Sequence, residues 1–128
     1  MFTLAQINAV HDRLGSANTI FEYVRALQAI GVEKYDTYVT DGHSEYFGKH
    51  GHKVSSPPAH NPLTVAKTSN RESFLMHLTL HNQGKTTYIE MSEGLAASGT
   101  EKWTVDTNKA TMIFYDTAGN QMRSEAIQ

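Results

Sequence analysis

The chain has 128 residues, a formal net charge of −2, 39% hydrophobic and 9% aromatic residues, and no cysteine. That length supports one domain with its own core. The missing cysteines exclude disulfides, thiolate nucleophiles and zinc ribbons, and without a basic excess nothing favours nucleic acid or anionic lipid as a partner. The opening Met1-Phe2-Thr3-Leu4-Ala5-Gln6 lacks the basic start and apolar run of a signal peptide. No stretch approaches the ~20 apolar residues of a membrane span, so the expected location is the cytoplasm, away from membranes.

Thr3 to Leu14 reads as a helix, with Leu4, Ile7, Val10 and Leu14 on one face and Thr3/Gln6 at capping-box spacing. Gly15-Ser16 ends it. A second helix, Thr19 to Ile30, has a second box at Thr19/Glu22 and Gly31 as its left-handed stop. The period then changes to two. Lys34 to Thr40 alternates Tyr, Thr and Val, Asp41-Gly42 is a hairpin turn, Ser44 to Lys49 returns, and Lys53 to Ser55 is a third strand stopped by Pro57-Pro58. Leu63-Thr64-Val65-Ala66 reads as one more short strand or as an ordered loop. Helices resume with boxes at Ser69/Glu72 and Thr87/Glu90 and stops at Gly84 and Gly99. Three strands follow: Lys102 to Asp106, Thr111 to Asp116, and, after a turn at Ala118-Gly119-Asn120, Gln121 to Ile127.

The order ααβββ therefore occurs twice. Sliding the chain on itself by 68 residues places Thr19 on Thr87, Glu22 on Glu90, Leu27 on Leu95, Gly31 on Gly99, Lys34 on Lys102 and Gly51 on Gly119, with no gap. The expected fold is α+β: a single domain over 1–128, built by tandem duplication of an ααβββ unit (about 1–60 and 69–128). A half this small cannot bury its faces alone. The halves are expected to pair about a pseudo-twofold axis, as one antiparallel sheet or two small ones, with helices on one face.

The candidate chemistry lies in the seven histidines. Asp41, His43 and Glu45 cluster on the first hairpin, where His43 can act as a ligand or general base and a carboxylate can orient it. Asp41-Gly42 is equally explained by the turn. His50 and His52 are two apart, so on a strand they share a face and can chelate a metal. His77 and His81 are four apart on a helix, but the glutamate of a zinc-protease helix is missing beside His77, and half-buried boundary rings explain the pair. His11 lies within an apolar stripe and reads as a core or interface histidine; His60 carries no signal. Ser44 sits between His43 and Glu45, yet neighbours on a strand point to opposite faces, which argues against a relay. No Gly-x-Ser-x-Gly elbow and no Walker-type or dinucleotide glycine loop is present, so no cofactor-binding residue is read and the identity of any cofactor is left open.

The run Tyr35-Asp36-Thr37-Tyr38-Val39-Thr40-Asp41-Gly42-His43 with Tyr46-Phe47-Gly48, the run His81 to Thr86, Gly99 to Trp103 and the ending Tyr115 to Asn120 resemble the YbcV-like family of uncharacterised bacterial proteins. The resemblance covers essentially the whole chain. It implies no activity; some members carry the label phage envelope protein, which implies a prophage setting. The family pattern includes Asp41, Gly42, His43, His81, Gly84 and Trp103, whereas His50, His52 and His60 depart from it.

The leading functional expectation is a module that binds a small molecule or a protein, because a duplicated domain offers a groove along its axis. The alternative is a small enzyme, metal-assisted or not, in which Asp41, His43, Glu45 and His81 converge. A third is a self-assembling phage structural protein. In the register of 68, His43 falls on Thr111 and His81 on Arg13, so an active site built on them would be asymmetric.

Overall fold

The computed structural model describes residues 1–14 and 19–127. Two helices, α1 (Leu4–Leu14) and α2 (Ile20–Ala29), lead into β1 (Lys34–Tyr38), β2 (Ser44–Phe47) and β3 (Lys53–Ser55). Then α3 (Arg71–Asn82) and α4 (Tyr88–Ala97) lead into β4 (Thr100–Asp106), β5 (Thr111–Asp116) and β6 (Gln121–Ala126). A single 3-10 turn, Lys49–Gly51, joins β2 to β3. Residues 56–70 hold no strand or helix, so Leu63 to Ala66 belongs to an ordered loop, tied down where Leu63 N–H donates to Thr40 O and Ala66 N–H to Ala96 O. The Gly15-Ser16 helix stop lies outside the described residues.

The caps follow local chemistry in two of four places. Thr3 and Gln6 exchange bonds of 2.8 and 3.2 Å, and Thr87 and Glu90 do so at 2.9 and 3.2 Å. At α2 the box does not form: the Thr19 hydroxyl donates to Leu14 O instead. At α3 the cap is Asn70, not Ser69, and its side chain accepts from Ser73 N–H at 3.0 Å. Spacing alone does not decide between adjacent residues that can both cap.

All six strands form one antiparallel sheet in the order β3-β2-β1-β4-β5-β6. Its centre is the β1–β4 pair, in which Tyr35 faces Val105, Asp36 faces Thr104 and Thr37 faces Trp103. Alternation gives the sheet two unlike faces. Tyr35, Tyr46, Val105 and Phe114 point to the helices. With Ile7, Val10, Val24 and Leu27 on one side and Phe74, Leu78, Met91 and Leu95 on the other, they make two apolar clusters. Trp103 and Met112 pack against both. The opposite face carries Lys34, Asp36, Tyr38, Lys102, Thr104 and Asp106 on the two central strands, and no helix among the described residues covers it.

Candidate functional site

The open face is organised around the β1–β2 hairpin. The turn closes when Gly42 N–H donates to Tyr38 O at 2.8 Å and Tyr38 N–H to His43 O at 3.0 Å. Asp41 Oδ1 accepts the His43 backbone N–H at 3.0 Å and lies 2.5 Å from His43 Nδ1. One carboxylate thus makes the turn and orients the imidazole. His43 Nε2 faces Glu45 Oε2 at 3.4 Å, and Glu45 Oε1 is 3.5 Å from Lys53 Nζ. Ser44 points to the helix side, where its hydroxyl meets that of Thr37 at 2.7 Å.

From His43 a row of side chains crosses the sheet. The imidazole stacks on Tyr38, with ring centres 4.7 Å apart and planes 5° from parallel. Lys102 Nζ lies 5.7 Å from the Tyr38 ring centre and 5.8 Å from that of Tyr115, cation–π distances. The same ammonium is 3.6 Å from Asp36 Oδ2, while Thr104 donates to Asp36 Oδ1 at 2.6 Å. Asp36 is only 5% exposed, and these two partners satisfy both its oxygens. The row ends in a concavity of about 470 Å³ lined by Lys34, Asp36, Lys102, Thr104 and Tyr115 and by the β5–β6 turn at Gly119. An adjoining hollow of about 330 Å³ shares Lys34, Thr104 and Tyr115 with it and extends to Lys109 and Ile113.

The electrostatics follow from this packing. Burial by itself lowers the His43 pKa, but the hydrogen bond and charge of Asp41, joined by Glu45, outweigh it and hold the imidazole above 6.5. Asp41 moves the opposite way: burial raises it, and the hydrogen bonds and charge of His43 bring it below 3.8. Burial raises Tyr38, with Lys102 opposing and Glu45, Asp36 and Glu101 reinforcing the shift. A proton gained or lost at His43 Nε2 is shared with Glu45, whose Oε2 lies 3.4 Å away.

The other histidines lie elsewhere. His81 ends α3, with Nδ1 3.2 Å from Thr86 O and 3.3 Å from the Thr86 hydroxyl, and no contact joins it to His43 among the described residues. His77 lies against the backbone of α4, where a Cβ built on Gly94 would meet its ring at 2.4 Å. His50 and His52 do not share a strand face. His50 is exposed in the 3-10 turn with φ 58°, and the His52 ring meets Phe2 O at 2.8 Å and packs edge-on against the Phe2 ring. His11 is not in the core; it is exposed, its ring 5.9 Å from that of Tyr23. Among the described residues no three His, Asp or Glu side chains are set to share a metal ion.

A family model described as "Protein of unknown function (DUF1398)" matches residues 8–126. The chain belongs to the DUF1398 family. No curated protein matches it. The DUF1398 description assigns the chain no chemistry. Of the four residues proposed from sequence for an enzyme, the fold joins Asp41, His43 and Glu45 and leaves out His81. Lys34, Asp36, Tyr38, Glu101 and Lys102 went unrecognised. Four of them had a signal in Lys34-x-Asp36-x-Tyr38 and Lys102-x-Thr104-x-Asp106, period-two runs with a polar face. That these runs become neighbours is set by strand order, which no local pattern carries.

Proposed function

We propose that the protein is a ligand-binding module and that its binding surface is the open face of the sheet. The observation that carries this is the concavity at the centre of that face, floored by the buried Asp36 with its half-buried partner Lys102 and flanked by Tyr115. A merely solvated sheet face has no reason to bury a carboxylate such as Asp36 at its midpoint. Around the two hollows Lys34, Lys102 and Lys109 are equalled in number by Asp36, Glu101 and Asp106, a balance that favours a small polar ligand over a polyanion. The YbcV-like resemblance adds a prophage setting to this proposal.

The test is a metabolite screen by thermal shift, followed by mapping of each hit on wild type, His43→Ala and Tyr115→Ala. A ligand at 100 times its Kd adds about 2.7 kcal/mol to stability. The proposal expects that gain to shrink in the Tyr115 variant. A ligand whose gain is untouched by both substitutions, and whose contacts map to the helices, sinks it.

A second reading, a proton-transfer enzyme, is favoured by the Asp41–His43 contact, since a carboxylate on Nδ1 orients the ring and a proton exchanged at Nε2 passes beside Glu45, 3.4 Å away. It expects a substrate of the screen to turn over with a limb of the rate–pH profile set by a group above 6.5. Turnover retained by His43→Gln would refute it.

We also infer that the two halves arose by duplication. What supports this is that Ile20–Ala29 and Tyr88–Ala97 are separated by 68 residues at both ends. Asp36 and Thr104, which face each other at the centre of the sheet, are also 68 apart. Lys34 faces Phe47 as Lys102 faces Tyr115. Gly31 and Gly99 both take left-handed φ values, 105° and 85°, as a repeated helix stop requires.

A further inference from the structure

Resting on the open face as a binding surface, we propose that its central groove takes a short zwitterionic peptide, two or three residues long, with free amino and carboxyl ends. The groove holds four charges, and two of them are already matched: Asp36 and Lys102 pair at 3.6 Å. The other two are not. Lys34 is exposed and touches only the Phe47 ring, 5.0 Å from its centre, with no carboxylate partner among the described residues. Glu101 is half-buried, and its side chain makes no hydrogen bond or ion pair among the described residues. Both line the same concavity.

Glu101 reaches the groove through an irregularity in the sheet. Thr100 pairs with Asp116, and Lys102 with Tyr115, so Glu101 is the extra residue of a β-bulge. Strict alternation would direct it with Trp103 to the helix side. A bulge re-aims the side chain it inserts, and here it brings a carboxylate to the groove beside Lys102. The backbone holds the bulge in place, with Val39 N–H donating to Glu101 O at 2.9 Å.

The unmatched cation and carboxylate stand at opposite ends. Lys34 faces Asp106 on β4, and Glu101 lies at the start of that strand, roughly 16 Å away along the backbone at ~3.3 Å per residue. An extended tripeptide spans roughly 10 Å, so it fits between the two when a flexible side chain reaches to it from each end. A ligand amine meets Glu101, a ligand carboxylate meets Lys34, and an apolar side chain covers Tyr115. A ligand of one sign would leave Lys34 or Glu101 uncompensated, and a nucleotide would set its phosphates against Glu101.

The experiment is a 1H–15N chemical-shift titration of the full chain with three probes: trialanine with free ends, its N-acetyl form and its C-terminal amide. Free trialanine is expected to move the amides of Lys34, Thr104 and Gly119, with each blocked form binding about tenfold more weakly. Glu101→Gln is expected to erase the difference between free and acetylated peptide, and Lys34→Met that between free peptide and amide. The same spectra report whether each variant is folded. Equal binding of free and blocked peptides, shifts confined to other surfaces, or no shift with trialanine overturns the proposal. Benzoate, inorganic phosphate and glucose are titrated in parallel. If one of these moves the same amides while trialanine does not, the ligand class is wrong and the surface stands; if none moves them, the surface falls as well.

Discussion

His43 and Asp41 hold each other ionised, and the two shifts define a pH window. The His43 pKa is raised above 6.5 in the folded chain, so its contribution to stability is complete below that pH and is lost as pH rises through the folded value. That of Asp41 is lowered below 3.8, so its contribution is present above 3.8 and is lost as pH falls through the folded value. Both act together between those limits. The side chains are 24% and 23% exposed, so the pair stabilises by about 0.5–1 kcal/mol. We expect an NMR titration of His43 to give a midpoint above 6.5 that Asp41→Asn lowers; a midpoint unmoved by that substitution contradicts the assignment. The buried phenols behave oppositely to a surface tyrosine. Burial, then the neighbouring phenols, push Tyr23 and Tyr35 far above the ordinary value of ~10. Because ionisation is favoured in the unfolded chain, stability falls as pH rises past ~10. An absorbance titration is expected to show that at least two of the six tyrosines ionise only as the chain unfolds.

The helices show how far an element can be read locally. Boxes at Thr3 and Thr87 form because the N-cap and the residue three beyond it satisfy each other's donors without outside help. Thr19 and Ser69 have the same spacing and do not cap. Packing between α3 and α4 is likewise invisible to spacing. Alanine in place of Gly94 would gain ~1 kcal/mol of helix propensity on an empty surface. Here its Cβ would lie 2.4 Å from Cγ of His77, a ring atom that cannot swing aside without moving the whole side chain. Overpacking of that kind costs ~1–3 kcal/mol, so the sign reverses. We expect Gly94→Ala to lower the urea midpoint, and the additional change His77→Ala to recover part of the loss. A stabilised Gly94→Ala would show that α3 gives way freely.

For the whole molecule, the deciding contact is the β1–β4 pairing, which makes one sheet of two hairpin sets. Trp103 sits on that seam and packs against both apolar clusters. Trp103→Ala is therefore expected to cost on the order of 3 kcal/mol and to weaken both halves together. Circular dichroism and hydrogen exchange in the α1–α2 and α3–α4 amides would check this, and loss confined to one helix pair would show that the clusters are independent. Tyr115→Ala on the other face removes ring area without opening the core and is expected to cost under ~1 kcal/mol while weakening ligand binding.

The sequence by itself determined the elements, their order, the hairpin turns and the two-faced strands, because periodicity, capping and turn chemistry act over a few residues. It also marked Asp41, His43 and Glu45, which are joined by a local turn and alternate positions on one strand. Tertiary structure decided the rest. His81 belongs to the end of α3, where its ring meets Thr86 and not the hairpin that carries His43. Lys102 came to Tyr38 and Asp36 only through pairing between strands distant in the chain, and Glu101 came to the groove only through a bulge in that pairing. Such contacts depend on long-range register, where the energy lies in burying one face against helices and not in any local pattern.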